Sequence, residues 1–334
     1  MDDISDIIKL LATPKDIAII THRNPDGDAL GSSLGLQLFL EKLGHAVKVV
    51  LPSEFPNTFL FMPKVSEAVV YDLTRDRALE SLRNAEIIFC LDFNGLDRID
   101  KMGVEISEST AKKILIDHHL DPEPFADYTL SETSASSTCE LIHVFMEELG
   151  MIDKMDRDIA ECLMVGLITD TGSFRYATSP RCYAVASSLK AAGADDYTLN
   201  DLIHNTLTEK QLRLLGHCLN NRLEVIPEYA TGIIALTKED FHTFKIGRGD
   251  TEGVINYILM LKGIKAAAFM REQPTIIKMS FRSKGDISVA DIARNHFNGG
   301  GHKNAAGGAA YAKLSDIIKR FKEVLPNYIE KQNL

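Results

Sequence analysis

The stretch KKILIDHHLD, residues 112–121, joins a short apolar run to three consecutive ionisable side chains. The run KKILI predicts a buried strand, and Asp117, His118 and His119 stand where that strand ends. Acids and imidazoles are seldom buried without a partner, so their position at the tip of a buried strand calls for a chemical reason. We therefore expect partners for these three residues elsewhere in the chain, brought to the same place by the fold.

Four apolar runs in the first part of the chain predict buried strands, and helical patterns stand between and after them. The runs are DIAIITH (16–22), HAVKVVLP (45–52), EIIFCLD (86–92) and KKILIDHH (112–119). Helical apolar spacing is found in residues 27–44, 133–150, 156–172 and 179–194. This alternation predicts an α/β fold, with an N-terminal doubly wound, mostly parallel sheet that carries helices on both faces.

The last part of the chain has a different pattern of apolar and polar residues. Residues 276–283, IIKMSFRS, alternate between apolar and polar side chains, which predicts a half-exposed strand with Arg282 on its open face. A helix (288–297), a glycine-rich loop (GGGHKNAAGG, 299–308) and a closing helix are expected to follow. We therefore expect a smaller C-terminal α/β domain and an active site in the cleft between the domains, with boundaries at 1–195 for the first domain, 196–210 for a linker and 211–334 for the second domain.

Length and composition limit the class of protein. A chain of 334 residues with 45% hydrophobic residues can bury two cores. No stretch approaches the ~20 uncharged apolar residues of a membrane helix, and the N-terminus is acidic, so we expect a cytoplasmic protein with no membrane partner. The five cysteines are odd in number and widely spaced, which favours buried thiols over disulfides.

The charge is unevenly distributed along the chain. Residues 1–200 carry 33 acidic against 18 basic side chains, whereas residues 201–334 carry 14 against 19. This asymmetry is compatible with metal binding in the first part and phosphate binding in the second. The usual Lys/Arg clusters of nucleic-acid coat proteins do not occur, so long duplex nucleic acid is not an expected partner.

Acid and imidazole side chains occur at four separate places, three of them at the ends of predicted strands. They are His22, Asp26 and Asp28 in THRNPDGDALGS, Asp92 in EIIFCLD, Asp117, His118 and His119 in LIDHHL, and Asp170 at a helix end in LITDTGSF. The carboxyl ends of strands in an open α/β sheet form a common crevice, where these side chains can meet. Carboxylates gathered there repel one another and require a cation.

The residue types also indicate which cations fit. Mixed His and Asp ligands suit manganese, and also iron, cobalt or zinc, whereas an all-oxygen set would suit magnesium. The number of ligands fits two ions that share one carboxylate, as in the phosphatases and nucleases that use two metal ions.

Each motif alone has a simpler interpretation. An Asp after a strand is often a helix N-cap, which is the alternative for Asp92. The sequence NPDG is a good turn, and a lone histidine such as His22 is more often structural than a ligand. We favour the metal site because the three motifs occur together in one order along the chain.

The order HRNPDGD (22–28), LD (91–92), DHH (117–119) and TDTGS (169–173) resembles the four motifs of the DHH phosphoesterase superfamily. The segment GGGHKNAAGG resembles the glycine-rich signature of that family's nucleic-acid-handling C-terminal domain. The resemblance implies two manganese ions, with the ligand sets His22, Asp26 and Asp92 for one and Asp28, Asp92, His118 and Asp170 for the other. It also implies that Asp117 orients a histidine or the backbone turn, and that His119 faces the phosphate or passes a proton to the leaving oxygen.

Substrate-binding residues are expected in the second domain. The glycines Gly300 and Gly301 would let the backbone approach an anion, while His302 adds a donor and Arg282 grips a phosphate. The simpler alternatives are a flexible loop and a solvated strand residue. Arg98 is a weaker substrate candidate that the resemblance does not assign.

Among the subfamilies, the chain is most similar to the short stand-alone type that combines oligoribonuclease with 3′-phosphoadenosine 5′-phosphate phosphatase activity. We therefore expect hydrolysis of short single-stranded RNA to mononucleotides, and of 3′-phosphoadenosine 5′-phosphate to AMP and phosphate, through attack by a hydroxide held by two metal ions. A homodimer is compatible with the sequence.

Two alternatives to this activity stay open. One is a phosphatase or phosphodiesterase acting on another small phosphate ester, such as polyphosphate or a linear dinucleotide from cyclic-di-AMP. The other is a nucleotide-binding sensor without enzymatic activity.

Overall fold

The structure, a computed structural model, describes residues 4–247 and 249–330, with His302 described in its backbone alone. The chain divides between Thr206 and Leu207 into two compact units. This break falls within the range 196–210 that was expected to be a linker. Most of that range is nevertheless a helix that buries Leu199 in the core of the first unit, so it is not an open connection.

The first unit alternates helices and strands along the chain. Its elements are α1 Ile4–Leu10, β1 Asp16–Thr21, α2 Gly27–Lys42, β2 Ala46–Leu51, β3 Val69–Val70, α3 Arg75–Asn84, β4 Ile87–Leu91, α4 Met102–Glu108, β5 Lys112–Asp117, β6 Tyr128–Ser131, α5 Thr138–Glu148, α6 Arg157–Asp170, α7 Pro180–Ala191 and α8 Asp196–His204.

These six strands form one sheet in the order β3-β2-β1-β4-β5-β6, and every neighbouring pair is parallel. Along β1, Ile17 and Ile19 face the core that also contains residues of α2, α5 and α6, whereas Ala18 and Ile20 face the core formed with α3 and α4. Both faces of the sheet are therefore buried, which explains why the strands are continuous apolar runs. The doubly wound α/β fold is confirmed, although β3 and β6 are too short to have been predicted.

The register of the sheet aligns the ends of its three central strands. Thr21 of β1 pairs with Leu91 of β4, and Leu91 pairs with Ile116 of β5. The residues that come next along these strands therefore lie side by side at one edge. The strand order reverses between β1 and β4, and the crevice at such a switch point is the usual ligand site of an open α/β sheet.

Helices α2 and α6 approach each other closely because glycines line their contact. Gly27, Gly31 and Gly35 recur every fourth residue on α2, and a Cβ at Gly31 would collide with the carbonyl oxygen of Cys162 on α6. This contact brings the start of α2 beside the end of α6. The repeat of glycine at every fourth position is a signal that our sequence interpretation missed.

Helix α5 begins later than expected, at Thr138 instead of residue 133. The Ser137 side chain accepts a hydrogen bond from the Glu140 N–H, which makes Ser137 the N-cap and leaves residues 133–136 outside the helix. Helix α2 ends where predicted, before Gly44, which has a φ of 91°.

The structure also bears on the cysteines and on membrane helices. All five cysteines are buried free thiols, as predicted. None of the helices in the described ranges has both the length and the hydrophobicity needed to cross a bilayer.

The second unit is built around a sheet with mostly antiparallel pairing. Its elements are α9 Glu209–His217, β7 Leu223–Ile226, β8 Thr231–Leu236, α10 Lys238–Thr243, α11 Val254–Leu259, β9 Ala266–Glu272, β10 Ile277–Ser283, α12 Val289–His296, β11 Gly300–His302, β12 Ala305–Ala310 and α13 Leu314–Val324.

The strands of this unit run in the order β11-β12-β10-β9-β8-β7, and only β8 and β9 are parallel. Along β10, Ile277, Met279 and Phe281 are buried in a core with residues of α12 and α13, while Lys278 is exposed on the opposite face. The predicted half-exposed strand is therefore confirmed.

The glycine-rich segment 299–308 is a β-hairpin, so the prediction of a loop was wrong. Gly300 of β11 pairs with Gly307 of β12, and Gly301 pairs with Ala306. Gly301 has a φ of 140°, and a Cβ there would lie 2.5 Å from the carbonyl oxygen of Ala305. Backbone packing within the hairpin therefore requires a glycine at position 301.

Candidate metal centre

Asp92 is the central carboxylate of the cluster at the sheet edge. It follows β4 in the left-handed backbone region, with a φ of 63°, and its N–H donates to the Ile116 carbonyl oxygen at 3.1 Å. Left-handed backbone is uncommon for side-chain-bearing residues, although Asp and Asn tolerate it. The next helical turn begins after Gly95, so Asp92 does not cap a helix. Its buried side chain is thereby directed into the crevice.

The residues from β1 and α2 reach the same place. Asp26 is the N-cap of α2 and accepts the N–H groups of Asp28 and Ala29 at 3.1 Å. This capping bond fixes the loop, so that His22 Nε2 lies 3.8 Å from Asp26 Oδ1 and 3.4 Å from Asp92 Oδ2. The NPDG segment thus contains the N-cap of α2 and, in the same residue, a member of the cluster.

A second group of side chains surrounds His118. Its Nε2 lies 3.2 Å from Asp170 Oδ2, 3.5 Å from Asp92 Oδ1 and 3.9 Å from Asp28 Oδ2. Asp170 is the last residue of α6, and Asp28 lies in the first turn of α2. The close packing of these two helices therefore brings both aspartates to His118. The structure thus brings all six predicted ligands together in two sets that meet at Asp92.

The two histidines are oriented as metal-binding histidines usually are. Nδ1 of His22 lies 2.9 Å from the Arg23 carbonyl oxygen, and Nδ1 of His118 lies 3.4 Å from the Ala135 carbonyl oxygen. A carbonyl oxygen only accepts, so each Nδ1 carries the proton and each Nε2 faces the carboxylates. A backbone partner on the far nitrogen is typical of metal-ligating histidines.

The charges of the cluster are not balanced by fixed cations. Among residues 4–247 and 249–330, no Lys or Arg forms an ion pair with Asp26, Asp28, Asp92 or Asp170. Burial and the charges of Asp92 and Asp170 raise the pKa of Asp28 well above its ordinary value. Burial, together with Asp92 and Asp26, also raises the pKa of Asp170, although His118 opposes the shift.

The histidine protons take the place of a cation in this arrangement. Burial alone would lower the pKa of His22, but its hydrogen bonds to Asp26 and Asp92 outweigh burial and raise it to about 10. Burial is likewise outweighed at His118, where Asp170, Asp28 and Asp92 raise the pKa to about 10. The donor types, the orientation of the imidazoles and the surplus of negative charge all fit divalent cations.

Asp117 and His119 form a hydrogen-bonded pair that adjoins the cluster, since His119 groups with Asp92 and His118 as a third possible set of ligands. Nδ1 of His119 donates to Asp117 Oδ1 at 2.7 Å, and the His119 N–H donates to Asp117 Oδ2 at 3.1 Å. Asp117 is fully buried, whereas His119 is partly exposed. The carboxylate therefore fixes the orientation of the His119 ring, whose Nδ1 also lies 3.8 Å from Asp92 Oδ1.

The predicted substrate residues of the second unit lie on its sheet. Arg282 is half-buried on the open face of β10, Gly300 has open space where a Cβ would stand, and Gly301 is required by the hairpin. The side chain of His302 lies outside the described residues. Arg98 in the first unit is half-buried, and its carbonyl oxygen accepts the N–H of Arg23, next to His22.

The sequence interpretation missed Arg271, which lies on the same face of the second sheet as Arg282. It contacts Ser280 Oγ at 3.5 Å and Thr251 Oγ1 at 3.3 Å, and its Nε is buried without a hydrogen-bond partner. Burial lowers the pKa of both arginines, and neither forms an ion pair among the described residues. In the sequence, Arg271 only stands near the end of an apolar run. Its position on the same face as Arg282 follows from the pairing of β9 with β10, which the sequence does not show.

Two family models match the chain. The model "DHH family, N-terminal domain" matches residues 16–167, and the model "DHHA1 domain" matches residues 233–327. The first match contains every residue of the candidate metal centre except Asp170. The second contains the β10 strand and the glycine hairpin.

Full-length relatives agree with these matches. The bifunctional oligoribonuclease and PAP phosphatase NrnA of Thermus thermophilus is 29% identical over 96% of this chain and 91% of its own length. The cyclic-di-AMP phosphodiesterase PdeA of Listeria monocytogenes is 27% identical over 98% of this chain but only 48% of its own length. The crystal structure of an exopolyphosphatase-related protein from Bacteroides fragilis is 38% identical, covers 98% of this chain and 96% of that chain, and superposes with a TM-score of 0.93.

The motif order, the doubly wound sheet with its edge cluster and the two family matches therefore agree, and the chain belongs to the DHH family of metal-dependent phosphoesterases, with a DHH domain followed by a DHHA1 domain.

Proposed function

We propose that the protein is a manganese-dependent phosphoesterase that hydrolyses short oligoribonucleotides to mononucleotides and 3′-phosphoadenosine 5′-phosphate to AMP and phosphate. The observation that carries the proposal is the pair of ligand sets that meet at Asp92, with no fixed cation among the described residues to neutralise them. The similarity to NrnA over nearly the whole of both chains supports the substrate class.

His22, Asp26 and Asp92 would hold one divalent ion, and Asp28, His118 and Asp170 would hold the other. Asp92 would join the second set through Oδ1, which lies 3.5 Å from His118 Nε2. Two ions bound there supply the Lewis acidity that activates water and neutralises charge on the phosphoryl group. The imidazole ligands favour manganese over magnesium, because magnesium prefers oxygen ligands alone.

The chain's own residues would complete the chemistry. His119 would donate a hydrogen bond to the phosphoryl oxygens or a proton to the leaving 3′ oxygen, and its hydrogen bond to Asp117 would keep the imidazole oriented for either role. In the second unit, neither Arg282 nor Arg271 forms an ion pair among the described residues, although the charge of Glu252 acts on Arg271. Gly300 leaves space for close approach to the backbone. These groups would bind the phosphates of a short nucleotide substrate.

The test is hydrolysis of a diribonucleotide and of 3′-phosphoadenosine 5′-phosphate by the chelator-treated protein with added manganese or magnesium. We expect no activity without metal and a greater recovery with manganese. Equal turnover with and without metal would contradict the proposal, and recovery by magnesium alone would contradict the choice of ion.

A second candidate substrate is cyclic-di-AMP or the linear dinucleotide produced from it, because PdeA, a cyclic-di-AMP phosphodiesterase, matches nearly all of this chain. Parallel assays of cyclic-di-AMP, its linear form and a diribonucleotide separate the candidates. Cleavage of cyclic-di-AMP at a rate exceeding that of the diribonucleotide would favour the cyclic-dinucleotide phosphodiesterase. Binding of these nucleotides without any turnover in manganese would favour a sensor.

A further inference from the structure

We propose that Thr138 is the positioning residue that holds the carboxylate of Asp92 in the orientation needed to bridge two cations. This inference rests on the proposed metal site but concerns a residue outside every motif discussed above. Thr138 is the first residue of α5 and its side chain is completely buried.

The contacts of Thr138 join two separate carboxylates. Its hydroxyl Oγ1 donates to Asp92 Oδ1 at 3.0 Å, and its N–H donates to Asp28 Oδ2 at 2.6 Å. The N–H of Cys139 donates to the other oxygen of Asp28 at 2.9 Å. The start of α5 therefore touches Asp28 and Asp92, which both belong to the ligand set around His118.

The orientation of Asp92 matters because its two oxygens face different groups. Oδ1 lies 3.5 Å from His118 Nε2, and Oδ2 lies 3.4 Å from His22 Nε2. The last torsion of an aspartate side chain has a broad preference, so the backbone does not fix this plane by itself. The Thr138 hydroxyl is the neutral hydrogen-bond donor that fixes it, since the histidine nitrogens would be occupied by the ions.

Thr138 can act in this way because its segment is rigidly held. Glu140 is fully buried and accepts from the N–H and the hydroxyl of Ser136, at 3.0 Å and 2.5 Å. Arg181 then joins Glu140 to Glu132 through two ion pairs. Arg181 and Glu132 are partly exposed, but a buried carboxylate with all its partners, such as Glu140, restricts the position of the groups it holds. The Arg181 charge is thereby used by Glu140 and Glu132 and is not available to the metal ligands.

The test compares manganese binding by Thr138→Val and Thr138→Ser with binding by the full-length wild-type chain after removal of metal. Valine keeps the branched shape and removes the hydroxyl, whereas serine keeps the hydroxyl. We expect Thr138→Val to bind manganese at the ligand set around His118 about 10–100-fold more weakly. A loss of this size is usual when a metal ligand loses its hydrogen-bond partner. Titration calorimetry gives the two affinities, and electron paramagnetic resonance shows whether two bound ions are magnetically coupled. Thr138→Ser should retain both properties.

Thr231→Val is a matched control. Thr231 is also completely buried, and its hydroxyl donates to the Tyr229 carbonyl oxygen at 2.8 Å in the second unit. This substitution removes the same group at the same degree of burial, so it should leave manganese binding unchanged. Thr138→Ala serves as the second variant if valine prevents folding, as judged by circular dichroism.

The outcomes separate this inference from the proposed function. Binding of two coupled manganese ions by a folded Thr138→Val or Thr138→Ala protein with wild-type affinity would overturn the role of Thr138, whatever the substrate. Equal loss of binding in the Thr138→Ser protein would also overturn it, because the hydroxyl would then not be the decisive group. Failure of the wild-type protein to hydrolyse nucleotides would overturn the proposed function and leave the binding comparison intact.

Discussion

Each unit contains a buried cluster of aspartate and histidine, and the two clusters differ in their partners. In the second unit, Asp240 accepts two hydrogen bonds from Arg222 at 2.9 Å and one from His217 Nε2 at 2.7 Å. The N–H and hydroxyl of Thr237 complete its contacts. Burial alone would raise the pKa of Asp240, but Arg222, Thr237 and His217 outweigh it and lower the pKa to about 2.

In the first unit, buried Asp28 accepts the N–H groups of Thr138 and Cys139, but the charged side chains near it are His118 and other carboxylates, with no arginine or lysine among the described residues. Burial, Asp92 and Asp170 together raise the pKa of Asp28. The same residue types thus form a complete ionic network in one unit and an incomplete one in the other. The difference teaches that a buried Asp–His cluster becomes a cation site when the fold supplies no arginine or lysine to neutralise it.

The largest expected effect comes from Asp92→Asn, which removes the charge shared by the two ligand sets. Asparagine tolerates the left-handed backbone at this position, so the loop should keep its conformation, which alanine would strain. We expect loss of both ions and a fall in kcat/KM of more than about 10³-fold, since bound metals supply several kcal/mol of transition-state stabilisation. Retention of two ions, measured by calorimetry, would show that Asp92 is not shared.

Metal removal is the next test, because it should change the stability of the Asp–His cluster in the first unit and leave the cluster around Asp240 unaffected. Manganese at 100 times its dissociation constant should stabilise the folded protein by about 2.7 kcal/mol, if it binds the folded state alone. Thermal melts with manganese and with chelator measure this difference. If Asp92→Asn responded to manganese as fully as the wild type, the stabilisation would have to arise at another site.

Gly166→Ala tests the packing that brings Asp28 to Asp170. A Cβ at position 166 would lie 2.5 Å from Asp28 Oδ1 and would collide with Cys139 Sγ. We expect a loss of about 1–3 kcal/mol of stability from overpacking, together with weaker manganese binding. The control is Gly216→Ala in α9, where a Cβ meets nothing within 4 Å and alanine should be neutral or stabilising. Urea unfolding gives the free energies, and unaltered metal binding by Gly166→Ala would contradict the expectation.

Asp240→Asn removes the charge of the central aspartate in the second unit, as Asp92→Asn does in the first. It should lower the free energy of unfolding by about 1–2 kcal/mol, because a charged hydrogen-bond partner of Arg222 is lost while partly exposed Arg222 can still be hydrated. Manganese affinity should stay at the wild-type value. A loss of manganese binding would show that the contrast between the two clusters is false.

The smallest expected effect is the pH dependence of the difference in unfolding free energy between the wild type and Asp240→Asn. The folded pKa of Asp240 lies below its ordinary value of 3.8, so its ionised form stabilises the protein at pH values above about 4. This contribution is lost as the pH falls towards about 2. The stability difference between wild type and Asp240→Asn should therefore shrink as the pH falls below about 4. Urea unfolding at each pH checks it, and a difference that grew on acidification would reverse the assigned sign.

Part of the site was readable from the sequence because chain order and strand ends are local properties. Apolar runs such as DIAIITH and EIIFCLD predict buried strands, and in a parallel sheet the ends of such strands lie at one edge. The groups that follow the strands, such as His22, Asp92 and His118, could therefore be selected before their distances were known, whereas Asp170 stands at the end of a helix. The same local reasoning was wrong for the hairpin 299–308, where glycine suggested a loop although it serves close strand packing.

The sequence by itself determined the fold class, the order of the motifs and the identity of the charged groups, because these depend on periodicity and composition. Only the tertiary structure decided which charges remain uncompensated. Arg181 is used by Glu132 and Glu140, Arg222 is used by Asp240, and neither assignment has a sequence signature. Ion pairing depends on distances of a few ångströms between residues far apart in the chain, so it is fixed by packing and not by local pattern.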